Sequence, residues 1–432
     1  MMDSRQRAIQ AVLQLRDELP TMEGSDWPAV DLRLATLVQA AIEAPDSKQA
    51  LAALLQFVRS QPAWAQRFNE IIGGGWKGAG SFPSKPDSNA AAMALFTPVE
   101  LLYATDRAAT GLRHVQRWYS GDQNAASAIE YGRCTVTIPG GHSRGRLESP
   151  GWRDLWRGPE SARHVVVATI EPLSLQAFGD HVAARVGGDQ HEALVFVHGY
   201  NVSFHDAVRR TGQLAHDLSF DGIRLCFSWP SRAEFTAYGA DGDSANWAAP
   251  HLAEVIRNLQ AVDTDLRIHL VAHSMGNRVM ATALQELYWK GEARPNSIQQ
   301  VALAAPDIDH AVFDGLAEAL RSSAHRVTLY ASENDRALWL SGLLHRGPRA
   351  GDAGASMVAV EGIDAIDASG VDSSLFGLNH GYFAGKLSVL DDIRLLLRRD
   401  TPPDQRPGLI RGTNDRQWLM KPLPGALRAS LA

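Results

Sequence analysis

The sequence predicts an α/β architecture: a mainly parallel sheet with helices on both faces, preceded by a small all-helical domain. Three observations carry this. Residues 4–72 show only the 3.6-residue apolar period of amphipathic helices. A Gly/Pro/Ser-rich stretch then runs from Gly73 to about Asn89. From about Phe96 onward, apolar runs of strand length alternate with amphipathic periods, the pattern of a sheet covered on both sides.

The N-terminal part reads as four short helices. Ile9, Val12, Leu13 and Leu19 make one stripe, closed by Pro20, and Leu34, Leu37, Val38, Ala41 and Ile42 a second, entered through Asp26 and Pro28. Leu51, Leu54, Leu55 and Val58 follow, then Trp64, Phe68, Ile71 and Ile72. Residues 1–72 are thus expected to form a bundle able to bury its own stripes, with no cluster of catalytic residue types, and 73–90 a flexible linker. Lys77 within the Gly-rich stretch is no phosphate loop, because no strand precedes it and no Gly-Lys-Ser/Thr follows.

Residues 91–400 form the larger domain. Strands are expected at 99–104, 134–138, 165–170, 193–197, 223–227, 268–272, 301–305 and 327–330, and helices at 204–218, 250–262, 276–289, 310–322 and 382–399. Residues 233–249, rich in Gly, Asp and aromatic side chains, read either as a small cap or as a surface loop. Residues 401–432 read as a Pro-rich extended arm.

Composition bounds the function. Apolar residues make up 45% of the 432 and charged residues 21%, which is enough for a sizeable core. A net charge of −6 gives no general attraction to nucleic acid or anionic membrane. No run reaches the ~20 apolar residues of a spanning helix, and the N-terminus lacks a secretory apolar core. A cytoplasmic location is expected. Cys134 and Cys226 read as free thiols, Cys226 a buried one. No His/Cys spacing matches a zinc signature, and no cofactor is expected.

The chemistry gathers around Leu270-Val271-Ala272-His273-Ser274-Met275-Gly276-Asn277. A buried strand stops at a serine with small residues two places away on each side, and a helical period begins at once. That is the pattern of a nucleophile elbow, whose tight turn excludes larger side chains at those two places. A serine between strand and helix is more often only a helix cap, so its surroundings decide. In an open α/β sheet, reactive groups collect at the carboxyl ends of the strands. After the strand 193–197 comes His198-Gly199-Tyr200-Asn201, where the backbone N–H of Tyr200, together with that of Met275, is placed to form an oxyanion hole. The acid is expected after a later strand. Asp335, in Ala331-Ser332-Glu333-Asn334-Asp335, is favoured, with Asp307 and Asp309 as alternatives. His380 is the expected base, His345 its runner-up, and His273 is structural. The order Ser274, Asp335, His380 is that of α/β-hydrolases. The expectation is a serine hydrolase acting on small-molecule or lipid esters through an acyl-enzyme.

With these residues in view, the domain resembles the bacterial α/β-hydrolase family first catalogued as a domain of unknown function (number nine hundred). The shared stretches are Tyr103 to Arg107, Val197 to Phe204, Ser228-Trp229-Pro230-Ser231, Ala272 to Arg278, Ala305 to Asp309 and Tyr330 to Asp335. The resemblance covers about 97–400 and implies an esterase- or lipase-like enzyme. Where that family ends in a Gly-His-Ser-Tyr-Phe type motif, this chain has Asn379-His380-Gly381-Tyr382-Phe383. The helical module is similar to small adaptor domains that precede effectors in bacterial conflict systems. The linker between the two parts motivates a second reading, in which residues 1–72 bind a partner or self-associate and the hydrolase is a regulated or vestigial output.

Overall fold

Along the central strands of the computed structural model, successive side chains alternate between two buried layers. Val195, Val197, Leu270 and Ala272 face one layer, and Leu194, Phe196 and Val271 the other. A strand buried on both faces needs helices on both faces, and the chain supplies them. The structure describes residues 95–112, 114–150, 159–186, 191–232, 238–294, 297–333, 347–354, 357–371, 385–412 and 417–422. The chain divides into two units, Met1–Asp87 and Ser88–Ala432, and all of these residues lie in the second. The expected helical bundle therefore falls outside the described residues.

The strands in chain order are β1 (Phe96–Thr105), β2 (Arg107–Ala109), β3 (Tyr119–Gln123), β4 (Glu130–Pro139), β5 (Val166–Leu173), β6 (Glu192–Val197) and β7 (Ile223–Ser228). They continue with β8 (Arg267–His273), β9 (Ile298–Ala304), β10 (Arg326–Ala331), β11 (Ile363–Asp367), β12 (Leu409–Arg411) and β13 (Gln417–Met420). The helices are α1 (Leu175–Arg185), α2 (Phe204–Asp217), α3 (Tyr238–Val262), α4 (Gly276–Trp289), α5 (His310–Ser323) and α6 (Gly385–Arg399).

Among the described residues, eleven strands form one sheet in the order β12-β13-β11-β10-β9-β8-β6-β7-β1-β4-β5. From β1 across to β13 the pairs are parallel, and only β5, β4 and β12 run against their neighbours. β2 and β3 make a separate antiparallel ribbon. One apolar layer packs Phe178 of α1, Leu252 and Ile256 of α3, Met280 and Leu284 of α4, and Phe313 of α5 on the sheet. The opposite layer uses Leu214 of α2 and Val389, Leu390 and Ile393 of α6.

Two expectations change. Residues 238–249 are not a surface loop but the first half of α3, which continues through Pro250 to Val262. Proline is common in a helix's first turn, so Pro250 marks a start when read from sequence. Here the lost backbone donor is offset by burial of Ala245, Ala248, Leu252 and Ala253. Nor is the segment after residue 400 only a surface arm. Its β13 pairs with β11, β12 pairs with β13, and Trp418 and Met420 are buried. Among the described residues, no helix is long and apolar enough to cross a membrane.

Candidate active site at the carboxyl ends of the central strands

The chain leaves β6 for β7 on one side and returns through α3 to β8 on the other, so connections diverge from the β6–β8 pair. Such a reversal opens a crevice at the strand ends. Register sets its contents. Val197 of β6 lies level with Ala272 of β8, and His273 of β8 with Ala304 of β9. Two residues past the first pair stand Gly199 and Ser274.

Ser274 has φ +50, a left-handed conformation that a non-glycine residue adopts only where its surroundings impose it. They do so with several bonds. The Ser274 amide donates to the Ala304 carbonyl (3.0 Å), and its own carbonyl accepts from the Asn277 and Asp307 amides at 3.1 and 3.2 Å. The buried Asn277 side chain donates Nδ2 to the carbonyls of Ser274 (2.9 Å) and Ala304 (3.0 Å). The turn therefore needs no capping role for the serine hydroxyl. α4 begins directly behind it, with Met275 at its N-cap and no side-chain cap bond there. Close approach explains the small residues. A Cβ on Gly276 would lie 2.3 Å from the His198 carbonyl oxygen, and one on Gly199 would lie 2.8 Å from His273 Nδ1 and 3.2 Å from Ser274 Cβ.

The loop after β6 is held from behind. Arg107, fully buried, makes five hydrogen bonds: Nε to Ser228 Oγ (2.9 Å), Nη1 to the carbonyls of Ser120 (3.2 Å) and Ser231 (2.9 Å), and Nη2 to the Val202 carbonyl (2.7 Å) and His198 Nε2 (3.2 Å). Burial lowers the guanidinium to about 10, which leaves it charged at neutral pH. His198 is buried beside that cation, and both effects hold its imidazole neutral, well below the usual range. Its ring stacks on Trp229 with centroids 5.1 Å apart and planes 8° from parallel, and Trp229 Nε1 donates to the His198 carbonyl at 2.7 Å. Asn201 completes the turn at φ +58. Tyr200 is half-buried, and burial raises its phenol, with the charges of Asp241 and Asp307 adding to the effect.

The other predicted residues divide. Asp307 is buried against Arg349, whose Nε lies 3.3 Å from its Oδ1, while Asp309 caps α5 by accepting from the amides of Ala311 and Val312. Both alternative acids thus have partners of their own. Asp335, His380 and His345 lie outside the described residues. His273 faces the Gly199 turn, and burial brings its imidazole down to about 3, so it stays neutral. Sequence reasoning gave no role to Arg107, Trp229 or Asn277. The signal for the first two was present in Thr105-Asp106-Arg107 and Ser228-Trp229, polar or aromatic clusters at strand ends that sequence alone did not join.

The family model described as α/β-hydrolase of unknown function (DUF900) matches residues 176–399, more than half of the chain. The chain belongs to this family. Among curated relatives, an uncharacterized protein of Nostoc sp. is 29% identical over 119 residues, which is 22% of this chain. The match spans 31% of that relative's length. An esterase from the hyperthermophilic archaeon Pyrobaculum calidifontis shares 16% identity over 49% of this chain and 76% of its own, with a TM-score of 0.29. Esterase Est22 shares 14% over 57% of this chain and 67% of its own, with a TM-score of 0.23. As a member of the DUF900 family, the chain carries an α/β-hydrolase domain from α1 to α6.

Proposed function

We propose that the protein is a serine hydrolase of carboxylic esters, with Ser274 as nucleophile, His380 as general base and Asp335 as the acid that orients it. The observation that supports this most is the left-handed Ser274 at the β8–α4 junction, beside the closely packed Gly199 turn. A turn held by Asn277, Asp307 and Ala304 leaves the hydroxyl available for chemistry. Asp335 is favoured over its rivals because Asp309 is engaged as a cap and Asp307 faces Arg349. Asp335 follows β10 and His380 lies between β11 and α6, in the chain order of this fold.

In this mechanism the neutral imidazole of His380 takes the Ser274 proton as the hydroxyl attacks the acyl carbon. The carboxylate of Asp335 holds the tautomer and stabilises the imidazolium. The amides of Tyr200 and Met275 receive the oxyanion, each worth about 3–4 kcal/mol. The leaving alkoxide departs with the proton, and water then releases the acyl group by the same path.

Fluorophosphonate labelling and hydrolysis of p-nitrophenyl esters test the proposal. Wild type should label at Ser274, and Ser274→Ala should lose that adduct, with turnover falling on the order of a millionfold. Asp335→Asn should cost far more than Asp307→Asn. Equal labelling of wild type and Ser274→Ala at the same residue overturns the reading.

A further inference from the structure

A second hydroxyl–imidazole–carboxylate relay shares none of its three residues with the Ser274 site. Asp106 follows β1 and is fully buried. Its Oδ2 lies 2.9 Å from Nδ1 of His251, on α3, and Nε2 of the same ring lies 3.3 Å from Oγ of Ser127. Ser127 sits in the turn between β3 and β4 and has φ +50, the same left-handed conformation as Ser274.

The surroundings fix each member. The Ser127 amide donates to the Asn124 carbonyl (2.8 Å), and the Asn124 side chain bonds the Ala126 amide and the Ala128 carbonyl, both at 3.1 Å. The Asn124 amide in turn donates to the Asp106 carbonyl at 2.8 Å, tying the turn to the end of β1. Trp247 packs edge-on against the His251 ring, with centroids 4.5 Å apart. Burial raises the Asp106 carboxyl, and the His251 bond and Arg107 charge draw it back. In the tautomer whose Nδ1–H donates to Asp106, Nε2 of His251 is left to accept from the Ser127 hydroxyl. Those are the three roles of a serine–histidine–aspartate relay, recognised by geometry rather than chain order.

We propose that Ser127 is a second nucleophile, activated by His251 and Asp106, that accepts acyl groups from small activated esters. Ser127 is exposed, so a reactive leaving group on the ester, rather than an enclosing pocket, drives the attack. The Ser127 Oγ–acyl bond forms as the hydroxyl proton passes to His251 Nε2. The acyl–alkoxide bond breaks, and the alkoxide leaves with that proton. Water, deprotonated by the same imidazole, then cleaves the acyl-serine and regenerates the hydroxyl.

The test uses the full chain with Ser274→Ala, exposed to a fluorophosphonate and to p-nitrophenyl acetate, with adducts located by peptide mapping. The expected result is an adduct on Ser127 that vanishes in Ser127→Ala and forms about a hundredfold more slowly in His251→Gln. A Ser127→Cys variant gives an independent readout, since Cys134 and Cys226 are buried. Its alkylation by iodoacetamide should slow at least several-fold when His251→Gln is added. Absence of a Ser127 adduct, or rates indifferent to His251, overturns the proposal. Because mapping separates Ser127 from Ser274, failure here is distinct from failure of the esterase reading.

Discussion

Nη2 of Arg107 lies 3.2 Å from Nε2 of His198, and this contact fixes the proton on that ring. A guanidinium only donates, so Nε2 must accept, and the hydrogen sits on Nδ1, 2.7 Å from the Gly199 carbonyl. The bond pins the carbonyl on the edge of the peptide that leads to Tyr200. Arg107 is therefore a positioning residue for the amide proposed to receive the oxyanion.

Arg107→Met should lower kcat for p-nitrophenyl esters at least tenfold with little change in KM, because the side chain orients a loop rather than touching substrate. Five hydrogen bonds vanish with it, so stability should fall by about 3 kcal/mol. Arg107→Lys keeps the charge but not the fork, and should recover only part of both. Steady-state kinetics alongside urea unfolding check this. A change confined to KM would contradict it.

Gly276→Ala should be more damaging than its one added carbon implies. The new Cβ meets the His198 carbonyl oxygen at 2.3 Å and the Val197 carbonyl oxygen at 2.7 Å, both backbone atoms. Relieving this must pry the elbow from the β6 loop, at a cost of about 1–3 kcal/mol and most of the turnover. Gly315→Ala is the control. Among the described residues, nothing beyond its own helix backbone and chain neighbours lies within 4 Å of that Cβ, and the residue is in α5. There the substitution should stabilise by about 0.5–1 kcal/mol through helix propensity alone, as urea midpoints would show.

His142 links stability to pH. Burial alone would depress its imidazole, but hydrogen bonds to Asp217 (2.8 Å) and Glu148 (2.7 Å) overcome that and raise it to about 9. A raised histidine stabilises the fold fully below its ordinary value near 6.5 and loses that contribution as pH climbs through about 9. His142→Gln should therefore cost on the order of 2 kcal/mol at pH 6 and much less at pH 10. Unfolding of both proteins across that range reads the difference directly.

Arg406 anchors the C-terminal segment. Its Nη1 meets Asp392 Oδ2 at 2.8 Å, and the same oxygen accepts from the Tyr330 hydroxyl at 2.7 Å, all of it buried. Arg406→Met leaves a buried carboxylate without its cation and should cost about 3–5 kcal/mol at neutral pH. Burial already raises the Asp392 carboxyl. The variant's deficit should thus shrink as pH falls and that carboxyl neutralises, which thermal melts at two pH values can detect.

What the sequence revealed and what it hid follow from the same physics. β6, β8 and β10 are short apolar runs bounded by polar residues, and their ends lie within two residues of those expected. The Ser274 elbow was legible because a tight turn restricts its neighbours to small side chains. α1 leaves little trace in the apolar pattern although Ser174 caps it by accepting from the Ala177 amide, since only Phe178 and Val182 of its face are buried. β11 was hidden because Asp364 and Asp367 break its apolar run, and β13 because four residues show only two turns of alternation. The Arg107–His198 contact spans 91 residues of chain. No local pattern encodes such a pair.

The final strands also close one edge of the sheet. Parallel β11 carries main-chain donors and acceptors that β13 satisfies, and β12, three residues long with Ile410 and Arg411 exposed, becomes the outermost ladder. A brief border with a cationic side chain is a poor template for another chain. Ending the chain at Asp400 would strip that border away and leave β11 open along one side. The shortened protein would then be expected to self-associate edge to edge even if every residue around Ser274 kept its place.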